Sequence, residues 1–199
     1  MPFICRSVLK PAWTHPGPVA AQVRRWGSEQ GWISFGTVAT PTGLSWTWTH
    51  NGVHVRLVAD EARRTLFLET SGDKPCSGVH RHVTRFVDAE GLTSMTALAH
   101  DEAREHPERL WQLALMAPVL YDVDVACVLL RFLHVGSPAV RALAIEACQQ
   151  VAWPELAPSL LAQMARRDGL SRAATMAWRA CGGTLDVDDL PQVTLELVA

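Results

Sequence analysis

Lysine is almost missing from this chain. Lys10 and Lys74 are the only two, and the remaining members of the 18 Lys and Arg are arginines. That bias, beside abundant Ala, Val and Leu, suits a GC-rich bacterial genome and favours the planar, bidentate contacts that arginine makes. An excess of one charge is missing too. The net charge is −2, so no global field selects nucleic acid or an anionic membrane. No run approaches the roughly 18 uncharged apolar residues that span a bilayer, and residues 1–13 hold no apolar core long enough for a secretory signal. The five cysteines (Cys5, Cys76, Cys127, Cys148 and Cys181) show neither CxxC nor disulfide-framework spacing. Three lie in apolar helical runs, where a free thiol behaves as a small buried hydrophobe. These absences predict a reducing compartment and a cytoplasmic protein. Also missing are GxSxG, Walker A, GxGxxG, kinase and HExxH signatures, so no catalytic residue and no cofactor is expected.

What is present divides near residues 71–78. Before that point the period is two: Leu44, Trp46 and Trp48 alternate with polar residues, as do Val53, Val55 and Leu57. Asn51-Gly52 separates the two runs and supplies the positive φ angles of a type I′ turn, which predicts a β-hairpin. Trp32 to Thr40 and Arg64 to Thr70 read as flanking strands. Pro18 to Gln30 reads as a helix with Val19, Val23 and Trp26 on one face. Trp46 and Trp48 share a strand face and are expected in the core.

Beyond the polar loop at residues 71–75 the period becomes helical. Val79, Val83 and Val87 form a stripe that ends by Gly91. Breaks then recur: Pro107, Pro138 and Gly169 are spaced 31 residues apart, each after a polar residue suited to capping (His106, Ser137, Asp168). Apolar helices precede them at Met95 to Ala103, Val123 to Leu133 and Leu156 to Met164, with Leu98, Leu129 and Leu160 in the same register. Units of this period cannot bury an apolar face alone, so they must stack.

Residues 128–147, with leucines, a tight Ser137-Pro138 turn, then Val140-Arg141 and spaced alanines, resemble a HEAT repeat. The resemblance covers residues 92–182 and is strongest in this unit. The next keeps Asp168 and Arg172 but has Thr175 and Trp178 where the family places alanine. The expected fold class is α+β: residues 1–74 as a helix plus antiparallel meander, residues 75–183 as HEAT-like hairpins, and residues 184–199 as an acidic tail ending in a strand at Val193 to Leu197.

The resemblance implies a protein-binding module whose second helices line a concave surface. Arg141, Glu146, Gln149, Gln150, Arg172, Arg179 and Trp178 are then the candidate contacts. The expected partner is another protein, and a toxin domain neutralised by a bacterial immunity protein is the narrower expectation. The alternatives are a HEAT-like DNA glycosylase, using Arg141, Arg166, Arg167, Arg172 and Arg179 on phosphates, or a structural subunit of a larger assembly.

Three constellations carry possible chemistry. Cys76-x3-His80-x-His82 mixes thiol and imidazole, but zinc needs a fourth ligand and none has finger-like spacing. An ordinary thiol and two surface histidines are expected. Cys76 ahead of a helix would be activated if His80 approached it, yet no orienting residue is identifiable. His100 to His106 is dense in acid–base groups and reads as a solvated helix end.

Overall fold

Asn51 and Gly52 both take positive φ, 49° and 76°. They join β3 (Gly43–His50) to β4 (Val53–Asp60), with Trp46 opposite Leu57 and Trp48 opposite Val55. The computed structural model describes residues 3–10, 15–166 and 168–184. Within it β2 (Ile33–Thr40) and β5 (Thr65–Gly72) complete the expected meander, and α1 (Pro16–Glu29) precedes it with proline in its first turn. One strand was not expected. β1 (Phe3–Val8) pairs antiparallel with β5, so the sheet has five strands in the order β1-β5-β4-β3-β2.

Strand alternation gives the sheet two covered faces. On one, Trp46, Trp48, Val55, Leu57, Leu66 and Leu68 are buried against Val19, Val23 and Trp26 of α1. α2 (Ser77–Thr84) adds Val83 to this core, so by packing it sits with the sheet although it follows residue 75. The helix is shorter than its valine stripe. The chain leaves it to form a bridge between Ala89 and Leu9, and Val87 is buried from outside the helix. On the other face the cross-strand row Val8, Phe67 and Val58 joins the core of the remaining helices.

Those helices are α3 (Leu92–Glu102), α4 (Glu108–Met116), α5 (Val123–Val135), α6 (Pro138–Val151), α7 (Ala157–Met164) and α8 (Ser171–Ala180), with a 3-10 turn at Pro154–Leu156. They pack as the pairs α3–α4, α5–α6 and α7–α8. Across pairs, α4 lies on α6 and α6 on α8, while α3 lies on α5 and α5 on α7. Leu110, Leu113, Leu129, Leu133, Ala144 and Leu160 are fully buried between them. Of the three expected caps, Ser137 alone occupies the capping position, where it accepts from the Val140 amide at 3.4 Å. Pro107 itself stands at the start of α4, leaving His106 outside the capping position, and Asp168 lies two residues ahead of the Leu170 cap of α8, where its Oδ1 accepts from the Leu170 amide at 3.3 Å and its Oδ2 meets Arg141. Asp122 caps α5 instead, accepting from the Asp124 and Val125 amides at 3.0 and 3.1 Å. The strand expected at Val193 to Leu197 lies outside the described residues. No described helix is long and apolar enough to cross a membrane.

Gly43 opens β3 at a φ of +153°, and a Cβ there would stand 2.0 Å from the Ala59 carbonyl oxygen. Relief requires the β3–β4 pair to move apart, since the obstacle is backbone. Gly43→Ala is therefore expected to cost about 3 kcal/mol, and an unchanged chemical denaturation midpoint would contradict this close approach.

Candidate interaction surface

The seven residues expected to contact a partner fall into different environments. Arg141 is 8% exposed, and its guanidinium pairs with Asp168 in the loop ahead of α8. It ties the second hairpin to the third, so its place on a contact surface is corrected to a brace. Trp178 is 6% exposed; its indole packs where a Cβ on Gly183 would stand, at 2.2–2.6 Å. Burial removes it as an open anchor as well. Glu146 turns toward the sheet and pairs with Arg63. Gln149, Gln150, Arg172 and Arg179 are exposed, and neither of these arginines forms an ion pair among the described residues. Of the other arginines expected to gather for phosphates, Arg166 donates to Gln163 at 3.1 Å, and Arg167 lies outside the described residues.

Glu146 belongs to a junction that the sequence did not reveal. Arg63, at the corner between β4 and β5, donates through Nε to Glu146 at 3.0 Å and through NH1 to Asp60 at 3.2 Å. Its guanidinium lies 4.7 Å from the Trp111 ring centroid, and Trp111 meets Phe67 edge-on at 5.9 Å. Burial works against the charged guanidinium, but Glu146 and then Asp60 outweigh it and leave its pKa raised.

Beside this junction a cleft of about 460 Å³ opens between β1 and the ends of α4 and α6, lined by Ile4, Arg6, Met116, Val119, Gln150 and Val151. Its lip is the loop from α4 to α5. There Val119 is 92% exposed and Leu120 80%, an unusual placement for consecutive large apolar side chains. The loop is held from beneath. The buried indole of Trp153 donates to the Val119 carbonyl at 3.3 Å, and Tyr121 packs edge-on against the same ring at 5.4 Å. Ala152, at φ 53°, ends α6 and delivers Trp153 to that position. The available signal was an apolar stretch, Ala117 to Tyr121, between two helices where a polar loop is the rule.

A second cleft, about 630 Å³, lies between α3 and α5 and is lined by His100, Asp101, Asp122, Asp124, Cys127 and Arg131 among others. Its polar groups are largely spent on one another. His100 Nδ1 meets Asp101 at 2.7 Å and His100 Nε2 meets the Arg131 guanidinium, while Asp122 caps α5. Among the described residues no hydrogen bond joins Cys127 to His100.

His80 is corrected from a surface residue to a half-buried bridge, with Nε2 2.9 Å from Ser7 Oγ on β1 and Nδ1 2.9 Å from Thr70 Oγ1 on β5. His82 is exposed and packs against Phe86. Cys76 is buried, donating to the Thr70 carbonyl at 3.3 Å. No three potential metal-ligating side chains gather among the described residues. Comparison of the chain with family models, curated proteins and solved structures yields no match.

Two outcomes follow. Arg141→Ala is expected to lower stability by about 1–3 kcal/mol, because a buried side chain and its bond to Asp168 between two hairpins are lost, while Gln149→Ala and Arg179→Ala stay within about 0.5 kcal/mol; equal melting curves for all three would refute the brace. Desolvation lowers the His80 pKa from 6.5, against a smaller opposing contribution from the Arg6 backbone. The neutral ring therefore supports the fold above that value, and the support is lost as pH falls through the folded-state pKa. His80→Gln should flatten the acid slope of the melting temperature between about pH 7 and pH 5, and an unaltered slope would show that His80 does not contribute to it.

Proposed function

We propose that this chain is a protein-binding module: a β-sheet layer joined to three HEAT-like hairpins, docking another protein through the loop Val119–Tyr121 and the adjoining cleft. The observation that carries the reading is the pinned, outward presentation of Val119 and Leu120. Leaving two large aliphatic side chains in water forfeits about 1.5–3 kcal/mol each relative to burial, and a partner that covers them recovers that term. Trp153 holds the backbone in place before binding, which reduces the ordering entropy that a floppy loop would lose. The HEAT-like assignment is supported by three helix pairs broken at a 31-residue interval and by the side-by-side packing of α4, α6 and α8.

A projecting apolar finger fits a concave site better than a flat one. The mode of action that suits this shape is occlusion: the loop enters a cavity on the partner and blocks it. An immunity protein that covers the active-site cleft of a toxin is the narrower form of the proposal. Gln150 lines the same cleft and contributes a polar rim, whereas Arg172 and Arg179 lie on α8 and belong to the contact only if the partner extends across the third hairpin.

The test uses the full chain as bait for partner capture, then calorimetry on the recovered pair. Leu120→Asp should weaken binding by at least about 30-fold, the equivalent of a 2 kcal/mol hot spot, with the melting temperature unchanged because the side chain is already in water. Arg179→Ala should bind within about threefold of the parent. Undiminished affinity in Leu120→Asp would eliminate this surface, and retention of DNA with a steep salt dependence would replace a protein partner with nucleic acid.

A further inference from the structure

We propose that Cys5 and Cys76 are a reversible disulfide site, oxidised by a small-molecule disulfide such as oxidised glutathione, which staples β1 to the start of α2. The two residues are 71 positions apart in the chain, yet their sulfur atoms lie 3.9 Å from each other. The fold brings them together in two steps. Register places Cys5 opposite Thr70 on β5, and the chain beyond β5 folds back so that Cys76 stands at the head of α2 with its thiol on the Thr70 carbonyl. A disulfide bond is about 2.05 Å long, so the sulfurs need to close by roughly 2 Å, within reach of small side-chain rotations. No other pair of sulfurs among the described residues lies in hydrogen-bonding range. Cys181 also sits close to Cys148, but its thiol points at the Cys148 carbonyl, 3.6 Å away.

The exchange runs in two balanced steps. Cys5 is half-buried while Cys76 is fully buried, so the reagent meets Cys5 first. The Cys5 thiol loses its proton to water and its thiolate attacks one sulfur of the glutathione disulfide, releasing one glutathione thiolate and leaving a mixed disulfide. Cys76, deprotonated in turn, attacks the Cys5 sulfur and expels the second glutathione thiolate. Two protein thiols are oxidised to one disulfide, one glutathione disulfide is reduced to two thiols, and the protein loses two hydrogens. Burial, and after it the neighbouring Cys76, push the Cys5 thiol up to about 11. Reaction is therefore slow at neutral pH and accelerates as pH rises toward that value.

The experiment treats the purified full chain with oxidised glutathione at mildly alkaline pH, followed by non-reducing peptide mapping and thiol titration in denaturant. The expected result is a Cys5–Cys76 linked peptide, loss of two of the five titratable thiols, and a melting temperature higher by about 10 °C that dithiothreitol reverses. Cys5→Ser, at a half-exposed strand position, abolishes all three changes, and the mapping of the parent protein decides the matter even if Cys76→Ser fails to fold. A persistent glutathione adduct on Cys5 without the linked peptide, or a link confined to Cys148 and Cys181, would overturn the assignment.

Discussion

Arg63 sits where the sheet must be joined to the helices, and it satisfies three demands with one side chain. Asp60 holds it at the strand corner, Glu146 reaches it from α6, and Trp111 of α4 offers its ring face. The apolar row Val8, Phe67 and Val58 then closes against the same helices. Without the charged clamp this contact is greasy and adjustable, because dispersion and burial have little directionality. The clamp gives the contact an orientation. It also explains why the pairing of α4 with α6 matters to the sheet: Trp111 and Glu146 come from different hairpins and must be neighbours for Arg63 to meet both.

Much of the architecture was legible because two periodicities were clean. Period-two runs around Asn51-Gly52 specify β2 to β5, and the proline and glycine breaks specify the six paired helices. β1 escaped because Phe3 to Val8 alternates poorly and pairs with residues 59 to 69 positions further along the chain, a partnership no local pattern encodes. The valine stripe at 79, 83 and 87 overstated α2, since the helix ends at Thr84 and Val87 joins the sheet core from the segment that follows.

The surface was harder to read than the core. Arg141 and Trp178 were expected at the contact because the resemblance places second helices on a concave surface, yet both are buried: Arg141 is drawn to Asp168, and the turn at Gly183 lies against the Trp178 indole. Glu146 is likewise spoken for by a residue 83 positions away. Charge complementarity across such distances is invisible in a linear pattern. The exposed pair Val119 and Leu120 was visible in principle, since an apolar loop violates the usual composition of connections, but apolar residues between two helices are ordinarily counted as helix ends.

β1 and β5 carry one more consequence, for the order in which this protein takes shape. Strands β2 to β5 are consecutive hairpins and can pair as soon as each turn leaves the ribosome. β1 is synthesised before all of them and needs β5. At about 5–20 residues per second, Gly72 trails Val8 by roughly 3–13 s, during which β1 has no strand to join. The first strand made is therefore the last to be placed, and its arrival completes both the face that receives α4 and the bridge to Ala89.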